Sequence, residues 1–196
     1  MRHSDHVSES EAPALVADTG PRRIAMRLRL ARPTGSLRDV KPVIAPKPDL
    51  VRMAAAVREL LLAAGEDPTR EGLRDTPQRV AKSFAEQIAG LRDDPARHLG
   101  RVFSSSFDGV VQVRGIDFSS MCEHHLLPIV GRVHIAYLPR AGQVVGISKL
   151  ARLVDIYGHR PQVQERLTRQ IAEELKQSLG TDDVAVLIEA DHLCVM

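Results

Sequence analysis

The spacing of apolar residues switches along the chain, and that switch restricts the fold more than any other feature of the sequence. From Asp49 the spacing is helical: Leu50, Met53, Val57, Leu60, Leu61 and Ala64 share one face, with Asp49 placed as an N-cap and Gly65 placed to stop the helix. A second helix is predicted to open at Thr76 as N-cap and Pro77 as first helical residue, with Val80, Phe84 and Ile88 as its buried stripe. The charged stretch 65–75 between them reads as loop. After Gly109 the period falls to two: Val111 and Val113, then Val133, Ile135 and Tyr137, alternate with polar or small neighbours, and Val144 to Ile147 is a short apolar run. These are predicted strands. Ser148 is expected to start a helix through about Tyr157, and Pro161 another whose stripe is Val163, Leu167, Ile171, Leu175 and Leu179, ending at Gly180; Val184 to Ile188 is a last strand. Helices and strands are grouped rather than alternating, which predicts an α+β fold with an antiparallel sheet.

Residues 1–48 read differently. They carry six prolines, and nine Lys/Arg against five Asp/Glu, where the rest of the chain has 18 against 20. Ile24, Met26, Leu28 and Leu30 alternate as in a short edge strand, but the prolines forbid a long element. This extension is expected to be mostly disordered, with the folded domain at 49–196, its helices at 49–90 and its sheet core from about 109. The basic stretch Arg22 to Arg38 is read as a solvated extension rather than a nucleic-acid arm. With 3% aromatic residues, no Trp and a net charge of +2, platforms for stacking single-stranded nucleic acid are nearly absent. No run approaches the ~18 apolar residues of a membrane span, and no secretory signal is evident. Neither nucleic acid nor membrane is therefore an expected partner. A cytoplasmic location is expected, where the two cysteines would stay reduced.

Those cysteines sit beside histidines. Cys122-Glu123-His124-His125 puts one thiol and two imidazoles within four residues, and His192-Leu193-Cys194 repeats the pairing far along the chain. Zinc favours these donors; closed structural sites use four protein ligands and catalytic ones three. Cys122, Cys194 and one of the adjacent histidines would leave a position open. Alone, a buried Cys is usually a small core hydrophobe and a lone His a satisfied one. Five such residues in two clusters favour metal over coincidence, and a Cys122–Cys194 disulfide is the weaker rival.

Together, Cys122-Glu123-His124-His125, Gly146-Ile147-Ser148-Lys149-Leu150, Arg160-Pro161-Gln162-Val163-Gln164-Glu165-Arg166-Leu167-Thr168 and His192-Leu193-Cys194 resemble GTP cyclohydrolase I, over a likeness running from about Leu50 to the last residue. The resemblance implies a T-fold, an antiparallel sheet with helices on one face, assembled into a toroidal homodecamer with active sites between subunits. It implies Cys122, His125 and Cys194 as zinc ligands, and His124 and His192 as an acid/base pair. Ser148, Lys149 and Arg152 would meet the triphosphate; Glu165, with Gln164 as a second contact, would read guanine. The implied reaction opens the imidazole ring of GTP at C8, releases that carbon as formate and closes to 7,8-dihydroneopterin triphosphate, the first step of tetrahydrofolate and pterin biosynthesis.

The chemistry of the residues agrees with those roles. C8 of a purine resists neutral water, whereas zinc lowers the pKa of a water from 15.7 to about 7. An imidazole titrating near ~6.5 can protonate N7 or assist ribose opening. Ser148, at a helix start after a strand, suits phosphate, with Lys149 and Arg152 adding charge. A carboxylate at Glu165 matches the N1–H and 2-amino donors of guanine, although an acid in a first helical turn is expected anyway. A non-catalytic GTP-binding scaffold is the alternative; a purely structural zinc module would need a fourth ligand. The family continues past the second cysteine into an Arg-Gly segment, a strand and a helix, whereas this sequence ends at Met196. The expectation is therefore a fragment that alone holds zinc loosely and turns over GTP poorly.

Overall fold

The computed structural model describes residues 24–26, 44–100 and 102–195. The expectation of disorder over 1–48 falls mostly outside them. Ile24–Met26 is a strand, β1, and residues 44–48 are extended chain held by a hydrogen bond from Ala45 N–H to Leu91 O (3.0 Å).

Asp49 caps helix α1 (Leu50–Ala63) as its side chain predicts, accepting from Arg52 N–H at 2.9 Å. The helix turns out of its axis at Gly65, whose φ of +81° suits a residue without Cβ. The expected stripe is only partly buried: Met53, Val57 and Leu61 are half-covered, while Leu50, Leu60 and Ala64 are exposed. Within one chain α1 has chiefly α2 (Thr76–Gln87) to pack on, so its full apolar face cannot be covered. In α2 the cap is Asp75 rather than Thr76, and the buried positions are Pro77 and Ala81 in place of the exposed Val80. A 3₁₀ turn (Ala89–Arg92) and the short helix α3 (Ala96–Leu99) lead into the sheet.

The ribbon β2 (Val102–Ser104) pairs with β5 (Gln143–Val145), and the main sheet has the order β1-β7-β4-β3-β6. Its long strands are β3 (Val111–Cys122), β4 (Pro128–Tyr137) and β7 (Val184–His192), with β4 antiparallel to both β3 and β7. A bulge between Val113 and Ile116 contains Gly115 at φ +72°. Ile129, Val133, Ile135 and Tyr137 of β4 and Val184, Ile188 and Ala190 of β7 point to one face and are buried, as period-two patterning requires. Helices α4 (Ile147–Gly158) and α5 (Gln164–Leu179) cover that face, contributing Leu150, Leu153, Val154, Leu167, Ile171 and Leu175, each at most 1% exposed. This is the expected α+β arrangement, with one departure. Pro161 does not begin a helix: Pro161–Gln162 forms β6, parallel to Met121–Cys122, and α5 begins three residues later after an extended Val163. The extended conformation lets Gln162 O accept Glu123 N–H (3.0 Å), a bond a helix start would forgo.

Arg160 ties the first helices to this core. Its Nε donates to Gly90 O (2.9 Å) and its Nη2 to Asp93 O (3.2 Å), with the guanidinium 4.7 Å from the Tyr157 ring centroid. Gly90 lies so close to α4 that a Cβ there would sit 1.9 Å from Ile156 O.

Candidate metal centre

The two Cys/His clusters meet because of strand order. The turn after β3 reverses the chain into β4, and β7 pairs with β4 so that His192 lies opposite Ile129. Leu193 N–H donates to Pro128 O (3.1 Å), which brings Cys194 back beside the end of β3. Cys122 N–H to Leu127 O and Leu126 N–H to Cys122 O, both 2.8 Å, close the turn, and Leu126 adopts φ +55°, a conformation costly for a branched side chain.

Cys122 Sγ, one His125 ring nitrogen and Cys194 Sγ all lie within 4.8 Å of one another, with Cys122 Sγ 3.8 Å from His125 Nδ1. Tetrahedral zinc with bonds of ~2.1–2.3 Å spaces its ligands about 3.5–3.8 Å apart, so the donors are near bonding separation. Soft thiolates with imidazole are a zinc-type set, and among the described residues this group has three members. The residues fit the metal.

Electrostatics point the same way. Burial pushes the Cys122 thiol up, but hydrogen bonding from the His125 ring, the backbone amides of His124 and His125, and Cys194 outweighs it, drawing the thiol down from 9.0 to about 6. Cys194 is pushed up by its own burial and by the neighbouring sulfur.

The His124 and His125 rings stand edge to face, 6.3 Å apart at 78°. The Nδ1 of His124 is 4.0 Å from Cys122 Sγ and its side chain is 65% exposed. His192 Nε2 lies 2.8 Å from Gln164 Oε1. Gln164 is buried, and its Nε2 donates to Ile188 O at 3.0 Å. Its side-chain amide therefore bridges His192 and the Ile188 carbonyl of β7. Glu165, next in the first turn of α5, is exposed. Ser148, Lys149 and Arg152 lie in the first turns of α4, behind Gly146 as N-cap; Ser148 and Arg152 are exposed and Lys149 is half-buried. The sequence alone did not single out Arg166, which donates to Glu123, Gln162 and Pro161. Its spacing of four from Gln162 was the available signal.

The family model described as GTP cyclohydrolase I matches residues 53–196. A GTP cyclohydrolase 1 of Rhodopirellula baltica is 55% identical over 147 residues, 75% of this chain and 64% of that protein. Proteins of the same name from Desulforamulus reducens (52% over 147 residues, 75% of this chain and 79% of the relative) and Corynebacterium glutamicum (55% over 148 residues, 75% and 76%) are similar to it as well. With the matching model spanning well over half of its residues and the grouped α+β fold in place, the chain belongs to the GTP cyclohydrolase I family.

Proposed function

We propose that this protein hydrolyses GTP at C8, releasing formate and forming 7,8-dihydroneopterin triphosphate, the entry step of tetrahydrofolate and pterin synthesis. The observation that carries the reading is the meeting of Cys122, His125 and Cys194, with His124 exposed next to His125 in the chain and His192 two residues before Cys194. Cys122, His125 and Cys194 would hold zinc, which would supply Lewis acidity toward a water near neutral pH. His124, which is exposed, delivers a proton to N7, which makes C8 more electrophilic. His192, held by Gln164, moves protons during opening of the ribose. The carboxylate of Glu165, with Gln164 beside it, selects guanine through its N1–H and 2-amino donors. Ser148, Lys149 and Arg152 place the triphosphate at the start of α4, where free amides and side-chain charge attract it.

The uncovered part of the α1 apolar face, with Leu50 46% and Leu60 69% exposed, supports self-association, and a toroidal homodecamer is the assembly proposed. No helix among the described residues is long and apolar enough to cross a membrane. The proposed setting is the cytoplasm.

The test is formate release and pterin fluorescence from zinc-loaded protein given GTP, with light scattering for the assembly. His124→Ala is expected to keep its zinc and lose product. Zinc retained with no product from the parent protein at saturating GTP would instead support a non-catalytic GTP-binding scaffold. Metal lost from His124→Ala would make that residue a ligand and refute its role as acid.

A further inference from the structure

An ionic group at the edge of the metal centre has no task in the chemistry above. Arg166, in the first turn of α5, donates from Nε to Gln162 Oε1 (3.0 Å) and from Nη2 to Pro161 O (2.9 Å) and Glu123 Oε2. Gln162 is 2% exposed, and its Nε2 donates to Tyr157 O (3.0 Å) and Gln170 Oε1 (2.9 Å). Those acceptors fix the amide, so its Oε1 must face the guanidinium. Arg166 is thus held by the buried Gln162 amide and the Pro161 carbonyl before it meets Glu123.

Glu123 is the residue between Cys122 and His124, and it is gripped twice. Its backbone N–H donates to Gln162 O (3.0 Å), while its carboxylate takes Arg166 with one oxygen and lies 3.9 Å from His124 Nε2 with the other. The turn it braces contains Leu126 at positive φ, a conformation that persists only where surrounding contacts over-determine it.

We propose that Arg166 is a positioning residue which, acting through Glu123, sets the turn carrying His124 and His125 in the geometry that metal binding and proton delivery require. Its catalytic consequence rests on the functional reading above; its effect on metal geometry does not. A surface ion pair contributes little by itself. This one differs because a planar fork reaches three acceptors at fixed angles, which an ammonium cannot reproduce.

The experiment compares the parent protein with Arg166→Met, Arg166→Lys, Glu123→Gln and the double variant Glu123→Gln/Arg166→Met. Zinc affinity is read by competition with a chromophoric chelator, ligand geometry by the absorption bands of the cobalt-substituted protein, and kcat and KM by pterin fluorescence. Each of Arg166→Met and Glu123→Gln should weaken zinc binding about ten-fold, as loss of outer-shell partners does, and shift the cobalt bands. The double variant should be no worse than the weaker single, because both act along one connection. Arg166→Lys should recover only part of the loss, and kcat should fall with KM nearly unchanged. Additive losses, or zinc affinity and cobalt bands unchanged in the near-isosteric Glu123→Gln, overturn the proposal. If the parent protein makes no product while the metal titrations show the coupling, the functional reading fails and the brace stands.

Discussion

Replacing Gln164 by Leu separates two tasks its side chain could perform. In the free protein the amide donates to Ile188 O (3.0 Å) and accepts from His192 Nε2 (2.8 Å). A backbone carbonyl only accepts, so the NH2 must face Ile188 and the oxygen must face His192, which then carries a proton on Nε2 and turns Nδ1 elsewhere. Leu nearly matches the volume of Gln, so the substitution opens no large cavity. It leaves a strand carbonyl and a half-buried imidazole each short of one partner, a loss of about 1–3 kcal/mol in all. For a chain of this size that lowers the melting temperature by roughly 3–10 °C. The effect on catalysis should be larger, since an imidazole free to shift by an ångström can lose ~100-fold in rate. Steady-state assays by pterin fluorescence should therefore show kcat down about 100-fold with KM little changed. A raised KM with kcat intact would show that the side chain contacts guanine directly, and the positioning account of Gln164 would be wrong.

Cys194→Ser should cut zinc retained after dialysis well below one per chain, measured by elemental analysis, while the fold survives by circular dichroism; unchanged zinc content would remove this residue from the ligand set. Gly90→Ala drives a methyl group to 1.9 Å from Ile156 O and should destabilise the protein by roughly 1–3 kcal/mol, with early proteolysis of the segment before Asp93; an unaltered urea midpoint would contradict the close approach. Burial, with the Glu174 carboxylate and its hydrogen bond, pushes the Tyr157 hydroxyl well above its ordinary 10.0. A native pKa raised above the unfolded one gives stability that is complete below about pH 10 and is lost as pH rises through the native value. Urea midpoints should thus fall more steeply above that pH in the parent than in Tyr157→Phe, and parallel slopes would refute the assignment.

The helices and strands were legible where one physical rule dominates. The α5 stripe from Leu167 to Leu179 is buried as its spacing predicts, and Gly180 ends the helix at φ +62°. Asp49 caps α1 because its side chain reaches a free amide, a purely local event. Errors fell where a distant partner decides. Pro161 looked like a helix start, but pairing with Met121 keeps it extended, and no local signal announces a strand forty residues away. The α1 stripe is right in period, yet much of it stays uncovered within one chain. The Cys and His clusters could be named from their donor chemistry, whereas their meeting depends on β7 pairing with β4. The resemblance implies Gln164 as a substrate contact, while its bonds to a strand carbonyl and His192 depend on β7 lying beside α5.

The position of β7 carries a consequence for how the molecule is made. This strand enters between β1 and β4, yet α4 and α5 must be synthesised before it appears. Until then Pro128–Tyr137 presents a bare flank of unpaired amides and carbonyls beside strongly apolar side chains, an invitation to pair with another nascent copy. Cys194 arrives later still, so a cation held with Cys122 would lock a sheet already zipped rather than nucleate its assembly. Yield of soluble material should consequently follow translation speed and temperature rather than zinc in the medium.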